Sequence, residues 1–139
     1  MKIGRFATVT SVAASLLMGG AGVALAEGSF TSSFSGWLPG ISSRDWVDKN
    51  TDAVATTVKL GGCRFDVLTG FKSATIQVSK RNGILPDQNQ GQKALACSSS
   101  ATGNWGRLAA ATYRFTLVGV NGASTSSDKV SASSVVVTY

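Results

Sequence analysis

Apolar and polar residues alternate with a period of two in several short stretches of this chain, and no long window carries a helical period. The clearest stretch is Thr112 to Val120, where Tyr113, Phe115 and Leu117 fall on one side and Thr112, Arg114 and Thr116 on the other. It ends at Asn121-Gly122, a dipeptide that accepts positive φ and favours a tight turn. Val130 to Tyr139, with Val135, Val137 and Tyr139 on a common face, is therefore expected to return beside it after a polar loop from Ala123 to Lys129. Val54, Thr56, Val58 and Leu60 alternate with Ala55, Thr57 and Lys59 in a strand that reaches Gly61-Gly62-Cys63. Phe71 to Lys80 turns Ala74, Ile76 and Val78 inward against Thr75, Gln77 and Ser79. Phe30 and Phe34 mark an opening strand, Ser29 to Trp37, and Lys93 to Cys97 forms a short one. Six or seven such strands predict an all-β domain, a small antiparallel two-sheet sandwich, with a small β-barrel as the alternative.

The first 26 residues read differently. Lys2 and Arg5 precede an apolar stretch from Ser11 to Leu25, which closes on Ala24-Leu25-Ala26. This is the order of a secretory signal peptide, and its small-residue style resembles the leaders of secreting Gram-positive bacteria. Cleavage after Ala26 leaves residues 27–139 as a single secreted, extracellular domain. No later run reaches 18 apolar residues, so no stable membrane insertion is expected after cleavage.

Export changes the reading of the cysteines. Cys63 and Cys97 are the only two, and an oxidising space favours a structural disulfide between them. The spacing is not Cys-x-x-Cys, and two sulfurs without histidine are too few ligands for zinc. The net charge of +6 includes Lys2 and Arg5. Without them, eleven basic and seven acidic side chains leave +4. These cations are spread singly except for Lys80-Arg81, too thinly for a nucleic-acid partner but suited to weak attraction toward anionic cell-wall polymers.

The run Leu108 to Asn121 resembles the penultimate strand of fibronectin type III and immunoglobulin-like domains. In those families a Leu precedes a Gly-Thr-x-Tyr step, and the tyrosine bonds back to the backbone. Leu108 and Tyr113 fill those places, although Ala109-Ala110-Ala111 replaces Pro-Gly and the turn is one residue shorter. The resemblance implies an immunoglobulin-like sandwich and carries no function with it.

Reactive chemistry is sparse. The chain has no histidine, which removes the usual general base and the Ser-His-Asp and Cys-His mechanisms, so no enzyme activity and no cofactor are expected. Asp48, Asn50 and Asp52 have the alternate-residue spacing of a calcium loop, but Ala53 and Lys59 stand where an EF-hand wants Gly and Glu, and a polar turn is the default. Trp37, Trp46 and Trp105 fall at strand ends or in loops, where flat indole faces can stack on sugar rings or can plug the core instead. The stretch Lys80, Arg81, Asn82, Gly83, Ile84, Leu85, Pro86 and Asp87 opens a connection running to Gly91, long enough to present itself to a protease.

The pattern supports a non-catalytic module that contacts an extracellular macromolecule or a cell-wall glycan through Trp37, Trp46 and Trp105. A secreted peptidase inhibitor using Lys80 to Asp87 is the alternative. A small secreted toxin or bacteriocin-like factor is a further one.

Overall fold

Eight strands make up the regular structure of residues 27–67 and 72–139, the part of the chain that the computed structural model describes. The expected leader, residues 1–26, lies outside the described residues, as does Phe71 of the fourth strand's expected start. The strands are β1 (Ser29–Trp37), β2 (Trp46–Asp48), β3 (Thr57–Phe65), β4 (Ser73–Lys80), β5 (Gln88–Ala96), β6 (Ser100–Asn104), β7 (Ala111–Val120) and β8 (Val130–Thr138). They form two antiparallel sheets in the orders β1-β8-β3-β6 and β2-β7-β4-β5. Each sheet keeps two edges, so the domain is a sandwich and not a closed barrel.

The inward residues are those that the alternation selects. Val58, Leu60, Val135 and Val137 from the first sheet meet Ala74, Ile76, Val78, Tyr113, Phe115 and Leu117 from the second, and all are buried. Removing such side chains from water contributes roughly 1.5 to 3 kcal/mol each for the larger ones, against the entropy of ordering the strands. The disulfide between Cys63 and Cys97 spans a Cα separation of 4.9 Å and joins β3 of one sheet to the end of β5 in the other.

Tyr113 is fully buried, and its hydroxyl donates to the carbonyl oxygen of Ala109 at 2.5 Å.

Three expectations need correction. The turn at Asn121-Gly122 forms, with φ of 50° and 83° and reciprocal bonds between Val120 and Ala123 at 2.8 and 2.9 Å. The following segment does not return beside β7, however. It crosses to the other sheet, where β8 lies between β1 and β3. Ser124 to Lys129 offers no apolar alternation to extend the hairpin, and the buried Asp128 anchors the crossing by accepting the backbone N–H of Val67 at 2.9 Å.

β5 begins at Gln88, so the expected connection to Gly91 shrinks to residues 81–87. Polar Gln88 to Gln92 has no hydrophobic alternation, and only its pairing with β4 makes it a strand. Likewise, β3 begins at Thr57 and runs on to Phe65, while β2 is too short, and β6 too poor in apolar residues, to be read from the chain.

Candidate functional site

A cleft opens along one side of the sandwich. There the edge of the first sheet is β1, and the facing edge of the second is the segment Gly40 to Asp48. Ser43 is held against β7 by its own N–H, which donates to the Phe115 carbonyl at 2.8 Å, and by its hydroxyl, which accepts the N–H of Phe115 at 3.0 Å. Ser42 shares a 2.7 Å hydroxyl bond with Thr116. These bonds spend the hydroxyls of Ser42 and Ser43 on the scaffold, and the Ser32 hydroxyl donates to the Ser33 carbonyl at 3.4 Å, which leaves the Ser33 hydroxyl on β1 at the mouth.

Between the two edges is a cleft of about 140 Å³. Its floor is aromatic: Phe30, Phe34, Trp37 and Phe115 line it, with Val135 beneath. Trp37 stacks on Phe34 with ring centroids 4.3 Å apart and tilts against Phe115 at 5.9 Å. The Arg44 guanidinium lies 4.0 Å above the Phe30 ring, a cation–π contact that places a positive charge at the rim. The volume is well below the roughly 300 to 1,000 Å³ of drug-sized sites. It suits a single ring, with apolar faces below and hydroxyl and guanidinium donors above.

The three tryptophans do not form one platform. Trp46 is 3% exposed and packs against Phe30, Tyr113 and Tyr139, so no face of it is free for a sugar ring. Trp37 belongs to β1, whereas Trp105 follows β6 and covers Gly103 there. β1 and β6 are opposite edges of a four-stranded sheet, on the order of 14 Å apart at about 4.8 Å per strand. Only Trp37 of the three lines the cleft. Sequence reasoning missed Arg44 and the serines. The available signal was a run of hydroxyl residues on the exposed side of an aromatic edge strand.

At the calcium candidate Asp48, Asn50 and Asp52 a side-chain oxygen of each residue is engaged by a group of the protein itself. Asp48 accepts the N–H of Asn50 at 2.7 Å, and Asp52 accepts that of Val54 at 2.8 Å. Arg107 donates to both the side-chain and main-chain oxygens of Asn50, so a guanidinium is already bound to that residue's oxygens. Glu27 accepts from the N–H groups of Lys49 and Thr51 and from the Thr51 hydroxyl. Chiefly through the Thr51 backbone bond, its carboxyl lies below the usual carboxylate range. Among the described residues no group of three or more acidic, cysteine or histidine side chains is placed to hold a metal.

The Lys80 to Asp87 segment is folded, not extended. Lys80 ends β4, Leu85 N–H donates to the Asn82 carbonyl at 3.1 Å, and Gly83 adopts a φ of 63°. Arg81 is committed to Asp45 at 3.2 Å and Asp87 at 3.1 Å, and Arg114 reaches Asp87 at 2.7 Å. Ile84 and Leu85 stand exposed at the tip. Burial opposes ionisation of Asp87, but the hydrogen bond from Arg81 and the charges of Arg114 and Arg81 outweigh it and hold the carboxyl below its ordinary value.

Set against family models, curated proteins and solved structures, the chain matches none.

Proposed function

We propose that this protein is a non-catalytic extracellular binding module that takes one ring of a cell-wall glycan into the cleft beside β1. The observation that carries this reading is the aromatic floor of Phe30, Phe34, Trp37 and Phe115 under a rim of Ser32, Ser33 and Arg44. An indole face matches the apolar face of a pyranose, while hydroxyl and guanidinium donors at the rim suit sugar oxygens. The disulfide fits an extracellular setting, and no described helix is long and apolar enough to cross a membrane. Export through the leader at residues 1–26, and a bacterial source, belong to the same proposal.

The back-bond of Tyr113 supports a local likeness of the Leu108 to Asn121 segment to fibronectin type III and immunoglobulin-like domains. In immunoglobulin domains the last strand lies beside the penultimate one. Here β8 does not, so the likeness stays with that segment. No specific observation favours the inhibitor or the toxin alternative: Arg81, the side chain an inhibitor would offer, is already paired with two carboxylates.

The test is retention on insoluble peptidoglycan, chitin and cellulose. Trp37→Ala should abolish retention on whichever polymer holds the protein, and Trp105→Phe should leave it intact. Retention on no polymer, or loss in both variants alike, counts against the reading.

A further inference from the structure

In the first sheet β3 and β8 break step along one line, and β1 breaks step directly beside it. Inward residues normally follow one another by two along a strand. Here the interval becomes three, from Leu60 to Cys63 in β3, from Ala132 to Val135 in β8 and from Phe34 to Trp37 in β1. The breaks in β3 and β8 face each other, since Leu60 pairs with Val135 and Cys63 with Ala132. β1 follows with register shifts on both sides of Phe34, itself the partner of Ala132. Gly62, at a φ of 58°, turns β3 at this line, and a Cβ there would meet Ser133.

The bend leaves a groove of about 330 Å³ on the outer face, lined by Ser33 and Ser35 of β1, Ser131 and Ser133 of β8, and Arg64 of β3. Bulged strands commonly re-aim side chains in this way next to sites. The hydrogen bonds show what the groove can still offer. Ser131 is buried; its hydroxyl accepts the N–H of Gly36 at 3.0 Å and donates to Ser35 at 3.4 Å. That leaves the Ser35 proton free to point outward. Ser133 donates to the Gly61 carbonyl at 3.3 Å. The Ser33 hydroxyl has no partner among the described residues, and the exposed Arg64 enters no ion pair with a described residue. The lining carries no carboxylate, so what remains is two hydroxyl donors beside an uncommitted guanidinium.

We infer that this groove binds an oxyanion, the carboxylate or phosphate of an anionic extracellular polymer. A guanidinium fork matches either group in bidentate fashion, and serine protons complete the set of donors. The positive balance of the chain adds long-range attraction. The groove lies across β1 from the aromatic cleft, sharing Ser33 and Phe34 with it, but it stands on different observations.

Backbone amide shifts of the isotope-labelled protein report on it directly, with trigalacturonate, a glycerol phosphate oligomer and neutral maltotriose as probes. An acidic probe should move Ser33, Ser35, Arg64 and Ser131, whereas maltotriose should not. Arg64→Gln should weaken that binding at least tenfold, and Arg64→Lys, which keeps the charge but loses the fork, should restore little of it. Lys93→Gln removes the same charge from β5, an edge strand of the other sheet, and should leave binding unchanged. Response to trigalacturonate alone assigns the carboxylate, and response to glycerol phosphate alone assigns the phosphate. Silence toward both acidic probes overturns the inference, as does equal weakening by Arg64→Gln and Lys93→Gln or full recovery with Arg64→Lys. Shifts confined to Phe30 and Trp37 belong to the cleft and also count against the groove.

Discussion

The indole N–H of Trp105 donates to the carbonyl oxygen of Gly91 at 2.8 Å, tying the segment after β6 to the edge strand β5. β5 is bulged at that point: Gln77 pairs with Gln92 and Ser79 with Asn89, so Gln90 and Gly91 oppose the single residue Val78. The bulge and the indole together keep that stretch of edge from pairing with another chain. Trp105→Phe should lower stability by about 1 kcal/mol through the lost hydrogen bond. Trp105→Ala should lower it by about 3 kcal/mol and introduce concentration-dependent association. Urea unfolding and light scattering check the two effects, and unchanged scattering for the alanine variant would dismiss the guarding role.

Tyr113 combines a buried ring with the back-bond to Ala109. Burial, aided by the charge of Asp48, raises its phenol above the ordinary value, so the folded state favours the neutral form. That contribution is complete below the unfolded value of about 10 and is lost as the pH climbs through the higher folded value. Tyr113→Phe should cost about 1 kcal/mol at neutral pH and flatten the alkaline fall in stability. Paired unfolding curves at pH 7 and pH 11 measure both, and parallel alkaline slopes would remove Tyr113 as the cause.

Reduction of Cys63–Cys97 should destabilise without abolishing the fold. A sequence separation of 34 corresponds to roughly 3 to 4 kcal/mol in the chain-entropy account. The bond also holds one sheet to the other. Cys63→Ala with Cys97→Ala should therefore unfold cooperatively at a much lower urea midpoint. A midpoint equal to that of the parent would mean that packing between the sheets makes the bridge redundant.

Asp87 is held ionised against its burial by Arg81 and Arg114. Because its folded value is depressed, its contribution is present above the unfolded value near 4 and fades as the pH falls through the folded one. Asp87→Asn should lower the unfolding midpoint at pH 7, with the gap to the parent closing in strong acid. A gap that persists at pH 2 would assign the loss to packing instead of charge.

Much of the sandwich was legible along the chain. The facing of Tyr113, Phe115 and Leu117, of Ala74, Ile76 and Val78, and of Val58 and Leu60 follows from the two-residue period of extended backbone. The Cys63–Cys97 bridge was equally open to reading, because two cysteines have one intrachain pairing. The candidate site was legible only in part. Trp37 could be named as an aromatic, and Phe30 and Phe34 share its strand, but Phe115 reaches the cleft from β7 and Arg44 from the opposite edge of the sandwich.

Tertiary structure alone decided the rest. Alternation says which side of a strand is apolar and nothing about its neighbour, so β8 could sit beside β7 on local grounds and sits between β1 and β3 instead. The burial of Trp46 was hidden for the same reason, since a short edge strand shows no pattern until Phe30, Tyr113 and Tyr139 close around it. So was the serine groove, which exists only because breaks in β3 and β8 face each other and β1 breaks step beside them. Facing is a property of a few consecutive residues, whereas adjacency depends on hydrogen bonds and packing between segments that the chain brings together from afar.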